Sequence, residues 1–522
     1  MFPTHNDAQR LQASLGNDLL LFLPELALCV GIVALLLARL VPALDRVHLG
    51  GGAVVALVIA LFAGGYQLAD SVVPQLAPGL NTVSYFGGML TADPWGGFVR
   101  MVVLAAALLT VLLTLLTGIP DRDDSADFYA LLLGGTLGMS LMASASHLLI
   151  VFVAVEMASL PGYALAAFLK GKRTGSEAGL KYVVYGAAAS GIMLYGITLL
   201  AGTFGSGTLS DVAAGIAQRG LDLPVLAGLT FTLVGLGFKL AAVPFQFWCP
   251  DVFEGAAAEV AGFLSVASKA GAIGLTGRLL FTLHEAHHGA WTIPASLGVG
   301  VAVVAMVTVT FGNLAAFAQT DLKRLLAYST IAHAGYMLMA LAVMTPASGA
   351  AVLYYLAGYV AMNLGAFAVV ALVRNATGRE DLGAFRGLVR RSPLLAVTMT
   401  LFLASLLGLP PLAGFAGKFQ VFAAVYDAAK AASASGPPGL GTVFFVLLSV
   451  GALNTTASAY YYLKVARAML LDEPETASGE PKASAGTALF LVALVAFLFA
   501  AGVVWEPMMA LTVQAAGAFR SS

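Results

Sequence analysis

Gly237-Phe-Lys239-Leu-Ala-Ala-Val-Pro244-Phe-Gln246-Phe-Trp248 and Leu409-Pro410-Pro411-Leu-Ala-Gly-Phe-Ala-Gly-Lys418-Phe-Gln420 each place proline and a lysine within a long apolar run. Proline lacks an N–H and clashes with the preceding turn, so each run reads as a helix broken in mid-span. Carbonyls freed at such a break need a polar, hydrated interior, and a pair of broken helices points to a transport site in a membrane fold.

The rest of the chain agrees with a membrane setting. Of 522 residues, 59% are hydrophobic and only 10% charged, and apolar stretches of about twenty residues recur throughout. No period-2 strand pattern appears, so the reading is an all-α polytopic membrane protein of about fourteen transmembrane helices. The spans fall near 19–41, 50–69, 95–118, 127–145, 147–169, 180–203, 223–247, 259–281, 292–317, 325–344, 349–373, 392–433 as two half-helices, 440–466 and 487–513. The first, Leu19 to Val41, has neither a basic leader nor a cleavage site and reads as a retained helix. A net charge of −1 points to no nucleic acid; the lipid bilayer is the partner that composition implies. Cys29 and Cys249 form no ligand spacing and read as packing residues.

Lys and Arg concentrate in alternate loops: Arg39, Arg46, Arg122, Lys170, Lys172, Arg173, Lys323, Arg324, Arg374, Arg379, Arg386, Arg390, Arg391, Lys464 and Arg467. The opposite loops carry little beyond Arg219, Arg278 and Lys430. The positive-inside rule then puts the basic loops in the cytoplasm and both termini outside. A weak internal repeat is also present, pairing Tyr182 with Tyr354, Gly186 with Gly358, and Gly162-Tyr163 with Gly335-Tyr336. An odd number of spans separates the copies, so their topology is inverted. The chain divides into 1–126 (helices 1–3), 127–285 (helices 4–8, first repeat), 286–470 (helices 9–13, second repeat, with breaks in helices 7 and 12) and 471–522 (helix 14).

A charge at mid-span costs roughly 2.5–3.5 kcal/mol on insertion scales, so an intramembrane charge is a functional candidate. Glu156 lies half-way along span five, Lys181 opens span six, Lys239 and Lys418 flank the breaks, Lys269 sits in span eight and Glu25 in span one. Burial disfavours an ammonium and a nearby carboxylate favours it, so a lysine held between the two can carry a proton and titrate as part of a coupled set. Lys181 can instead snorkel to the interface, and Glu25 can pair with a neighbouring helix or subunit. His333 in span ten is either a packed core histidine or part of a proton path. His147 is a candidate exit residue, Glu259 a cap at the start of span eight, and Asp251 with Glu254 order the loop after the first break. His284, His287 and His288 have metal-like spacing but sit in a short outer loop. The basic connection Arg374 to Arg391 suits anionic lipid or a soluble partner.

The stretch Gly237 to Gly255, with Gly262-Phe-Leu-Ser-Val-Ala-Ser-Lys269, Leu322 to Tyr336 and Gly408 to Phe419, resembles the subunit N family of bacterial NADH-quinone oxidoreductase, respiratory complex I. The resemblance runs from about span three to the end. It implies an antiporter-like fold with two inverted five-helix repeats and a proton-translocating role for Glu156, Lys239, Lys269 and Lys418, with Lys181 a further candidate. It also implies the other membrane-arm and peripheral-arm subunits as partners, quinone as the substrate of the complex, and a bacterial inner membrane location. No cofactor is implied in this chain; FMN and iron–sulfur clusters belong to other subunits. Two positions depart from the family: histidine is usual where Gln246 stands, and proline and threonine are usual in Ala256-Ala-Ala-Glu259. A cation/proton antiporter subunit and a structural scaffold are the competing readings.

Overall fold

The computed structural model describes residues 15–41, 48–72, 82–121, 124–169, 173–287, 292–475, 481 and 483–519. Arg46, Arg122, Lys170, Lys172 and His288 lie outside them. The helices run in the order α1 (Leu23–Arg39), α2 (Gly50–Val72), α3 (Pro94–Thr117), α4 (Ser125–Ser144), α5 (Leu148–Ala166), α6 (Arg173–Phe204), α7 (Leu209–Arg219), α8 (Leu223–Leu240) and α9 (Trp248–Gly255). There follow α10 (Ala258–Glu285), α11 (Thr292–Ala316), α12 (Leu322–Ala342), α13 (Pro346–Thr377), α14 (Pro393–Leu407), α15 (Ala413–Ser435), α16 (Leu440–Leu470), α17 (Ala485–Val503) and α18 (Glu506–Ala516).

Among the described residues, 12 helices are long and apolar enough to cross a membrane, or 13 if the pair Leu15–Leu21 and α1, bent by 79°, counts as one. The expected span over 392–433 is divided between α14 and α15 and adds to neither figure. Four boundaries move. The first helix bends before Leu23, the sixth starts at Arg173, the seventh stops at Leu240 ahead of Pro244, and the last breaks at Trp505 so that α18 is separate. The expectation of helices alone needs one correction: Val83–Tyr85 and Leu90–Ala92 form a small antiparallel hairpin, β1–β2, between α2 and α3.

Local chemistry sets the ends. Asp93 caps α3 through Gly96 N at 2.7 Å, Pro94 opens its first turn, and Gly118 closes it at φ 67°. Thr345 and Ser348 form a capping box at the start of α13, which ends on Gly378 at φ 70°. Both broken helices end on a left-handed residue, Ala241 at φ 53° and Gly408 at φ 93°. At Ala241 that conformation is strained, because its Cβ crowds the backbone there.

The centre of the bundle is α10, buried along its whole spanning window, with α12 and α13 almost as enclosed. A helix that is apolar on every face belongs at such a centre, and the polar residues on these three therefore face each other rather than lipid. Short isolated bridges tie helix starts together: His147 to Thr208, ahead of α5 and α7, and Asp321 to Asp381, ahead of α12 and Leu382–Phe385.

Two buried ion pairs anchor the N-terminal helices, one to α10 and one between α1 and α3, and the first involves a residue that the loop charges placed outside the bundle. Arg278 was expected in an outer loop, but it lies buried in α10 and makes a bidentate contact to Asp93 (2.5 and 2.9 Å) while also donating to Ala143 O at 2.8 Å. Glu25 lies 2.9 Å from Arg100 Nε, and both are buried. Asp93→Ala leaves the Arg278 charge buried and unpaired, at a cost of about 3–5 kcal/mol. The expected outcome is a clearly lowered thermal unfolding midpoint in detergent, against little change for Arg219→Ala, whose pair with Asp222 is exposed.

Candidate functional site

The first break supplies the starting point. A helix leaves its last carbonyls without N–H partners, and inside a membrane something must satisfy them. In α8 the Gly237 carbonyl accepts from Ala242 N at 2.9 Å, and the Phe238 carbonyl accepts from Trp248 Nε1 at 2.9 Å. The Leu240 carbonyl accepts from the Lys269 ammonium at 2.6 Å. Lys269 reaches it from the centre of α10, just after a π-helical turn over Leu264–Ser268, a feature that widens the helix and often marks function.

The second break repeats the solution. Lys418, one and a half turns into α15, donates to Leu406 O at 2.9 Å and Leu407 O at 3.0 Å, the last carbonyls of α14, and lies over the Tyr336 ring at 4.6 Å. Each ammonium therefore sits at the negative end of a truncated helix dipole, which stabilises a cation there. Both lysines are buried.

His333 on α12 lies within electrostatic reach of both Lys418 and Lys269. Its Nδ1 is hydrogen-bonded to Tyr355 OH at 2.6 Å and its Nε2 contacts Tyr462 OH at 3.2 Å, which in turn meets Ser329 Oγ at 2.5 Å. Asn363 on α13 joins the same interior, donating to Ser265 Oγ (2.6 Å) in the π-turn and to Tyr359 OH (3.0 Å). At the other end, Lys239 occupies the last turn of α8, buried, its Nζ without a hydrogen-bond partner among the described residues. Glu156 is the charged group that acts on it. Glu156 itself is half-buried in mid-α5 and accepts a hydrogen bond from Ser190 Oγ of α6, so it faces the edge of the bundle more than its centre. Gln246 lies buried in the break, its Oε1 unpartnered among the described residues.

Lys181 stands apart from this line. Its side chain is 38% exposed and pairs with Glu177 (2.9 Å) and Asp251 (2.7 Å). Arg324 bridges Asp251 and Glu254 at 2.7 and 2.6 Å, so the loop after the first break carries a mouth lined by Lys181, Asp251, Glu254 and Arg324. Glu259, expected as a simple cap, is fully buried and pairs bidentately with Arg374 at 2.9 and 3.1 Å. Lys323, assigned to a loop by its charge, is buried, donating to Ala256 O at 2.7 Å and pairing with Glu380 at 2.8 Å. Both residues hold the loop 256–259 that departs from the family pattern. His147 caps α5 through Leu149 N at 3.1 Å, and His287 contacts Leu283 O at 2.7 Å. Among the described residues no group of three His, Cys, Asp or Glu could hold a metal ion.

Residues 145–435, which contain every residue of this line, match the family model described as NADH:quinone oxidoreductase/Mrp antiporter, transmembrane. The chain is 38% identical to NADH-quinone oxidoreductase subunit N of Anaeromyxobacter sp. (strain Fw109-5), an alignment covering 96% of each. It is 36% identical to subunit N of Moorella thermoacetica over 95% of this chain and 97% of that one. Among solved structures it is similar to a chain of respiratory complex I from Thermus thermophilus with bound aureothin, at 33% identity and a TM-score of 0.72, covering 93% of this chain and 98% of that one. A chain of the Mrp complex from Dietzia sp. DQ12-45-1b shares the fold at 20% identity and a TM-score of 0.72, covering 95% and 97%.

The mouth has a pH signature of its own. Burial pushes the Asp251 carboxyl up, but hydrogen bonds from Lys181 and Arg324 outweigh it and hold the group below its ordinary 3.8. Because the folded value is depressed, the stabilisation is complete above 3.8 and is lost as pH falls below it. The thermal midpoint of the wild type should therefore drop on acidification through this range, and the drop should be smaller in Asp251→Asn.

Proposed function

This chain belongs to the NADH:quinone oxidoreductase/Mrp antiporter family, in its subunit N branch, and from that premise we propose that it translocates protons through the buried line Glu156, Lys239, Lys269, His333 and Lys418. The observation that carries the reading is the pair of lysine ammoniums, Lys269 and Lys418, seated on the open carbonyl ends of two broken helices with His333 within electrostatic reach of both. A group so placed is stabilised when charged by the helix end and opposed by burial, so a change of charge nearby alters whether it keeps its proton. Glu156 at the bundle edge is the group through which a neighbouring subunit can impose that change: loosening its hold on Lys239 alters the field at Lys269, and the charge state passes along the line as one coupled titration.

In this reading the chain is a membrane-arm module of a proton-translocating NADH:quinone oxidoreductase. It works with the other membrane-arm and peripheral-arm subunits, quinone is the substrate of the whole complex, and FMN and iron–sulfur clusters reside in other subunits. The mouth at Lys181 and Asp251 takes up protons from the cytoplasm, and both termini lie on the outer side, as the loop charges argue. Two inverted repeats, 127–285 and 286–470, frame the line. Supporting them, α6 and α13 both have 32 residues; each copy carries one broken helix and one isolated bridge ahead of its second and fourth helices. An antiporter subunit of a multi-subunit complex shares the fold, but the wording around Lys239 and Lys269 favours the oxidoreductase.

The test is Lys269→Ala in assembled complex within inverted membrane vesicles, following NADH-driven quinone reduction and proton uptake together. The proposal expects both to fall in parallel by about tenfold or more. Unchanged rates of both would make Lys269 structural, and normal NADH oxidation without the whole chain would favour the antiporter reading.

A further inference from the structure

Lys269 and Lys418 are both seated on carbonyls, but among the described residues only Lys418 also lies over a ring. Its ammonium is 4.6 Å from the centroid of Tyr336 on α12, and both residues are buried. One other described lysine has such a contact, Lys430 on the same helix α15, 5.5 Å from Tyr426, and there both partners are exposed. A cation–π contact is weak in water and several times stronger once both groups are desolvated. The buried contact is therefore the one with enough strength to act on a charge.

Tyr336 is held in place from the side away from the lysine. Its hydroxyl lies 3.1 Å from Thr455 Oγ1 of α16 and within reach of Asn313 on α11. Asn313 is fixed in turn by Asn454 Oδ1 at 3.2 Å and by Tyr461 OH at 2.9 Å, and Asn454 donates to Thr310 Oγ1 at 3.0 Å. This amide cluster makes no hydrogen bond to the proposed line among the described residues; what it reaches is the hydroxyl end of Tyr336. Two rings pack against Tyr336 at steep angles, Phe422 one turn beyond Lys418 (6.3 Å, 63°) and His333 three residues earlier on α12 (6.0 Å, 64°). With its tip tied and its flanks filled, the ring keeps one face toward Lys418.

An aromatic face is negative, so it attracts an ammonium and hardly a neutral amine. The hydrogen bonds to Leu406 O and Leu407 O discriminate less, because an amine keeps two N–H groups with which to make them. The ring is thus the contact that Lys418 loses when its proton leaves. We propose that Tyr336 is a functional residue of the proton line, its ring face holding Lys418 in the ammonium state until a change of charge nearby dislodges the proton. The ring takes no proton itself. It touches the nitrogen that carries one and sets how tightly that nitrogen keeps it. The inference rests on the role of Lys418 proposed above.

The experiment varies the charge of the ring face at nearly constant shape, in assembled complex within inverted membrane vesicles, reading NADH-driven proton uptake. Tyr336→Phe keeps the face and is expected to lose no more than a few-fold, since Thr455 Oγ1 also reaches Gly451 O at 3.1 Å. One, two and three fluorines on that phenylalanine, introduced by stop-codon suppression, drain the face in steps. The rate is expected to fall in the same order, by about tenfold across the series. A tyrosine that only fills space predicts a flat series, and any series that does not fall with fluorine number overturns the proposal. Lys418→Ala separates the two claims. Normal uptake in Lys418→Ala overturns the role of Lys418 and this inference with it, whereas a loss there beside a flat series overturns the role of Tyr336 alone. Should Tyr336→Phe not assemble, fluorinated tyrosines, which keep the hydroxyl, decide by the same order.

Discussion

A carbonyl with no partner inside a membrane is the constraint on which this molecule turns. Lipid supplies no donor, so a helix that stops in mid-bundle must be finished by the protein itself. Here the finishing group is twice a lysine. Lys269 closes α8 from another helix, and Lys418 closes α14 from the second half of the same broken span. An apolar cap could not do this, and an uncharged donor would not respond to a field. The same contact that lets the helix end in the interior therefore also installs a titratable group there.

Burial of these charges is tolerable because they are not isolated. The centre of the bundle carries two hydrogen-bonded groups, Tyr355, Tyr462 and Ser329 around His333 and Ser265 and Tyr359 around Asn363, and the members of each polarise one another at low dielectric. Lys239 is the exception, buried without a hydrogen bond and acted on by a half-buried Glu156. The least satisfied group of the line is thus the neighbour of Glu156, the half-buried member that faces the edge. A line that was equally well paired at every point would have no end from which to be moved.

Much of this was legible in the order of residues. Proline inside an apolar run announced both breaks, and lysine within a run announced the buried line, because each is costly enough in a membrane to need a reason. The family wording around Lys239 and Lys269 then narrowed the activity. Other features were hidden for physical reasons. Arg278, Lys323 and Arg374 lie near span ends, where a loop charge and a buried charge look alike in sequence; only packing brings Asp93, Glu380 and Glu259 to them. Glu156 reads as deep because it is central along α5, yet depth along a helix says nothing about which side faces out. The carbonyl partners of Lys269 and Lys418 carry no signature at all, since every residue has a carbonyl.

The ion pairs sort by what their geometry permits. Asp93–Arg278 and Glu259–Arg374 are bidentate, with the guanidinium fork matched to both oxygens, and removing either partner would leave a buried charge unpaired. They sit at opposite ends of α10, one near each membrane face, and hold that helix in fixed register against α3 and α13. Between these two anchors Lys269 is held by a single contact, to the Leu240 carbonyl of α8. Rigid pairs at the ends and loosely held charges between them are what a bundle needs if its charge state is to change while its backbone stays in place.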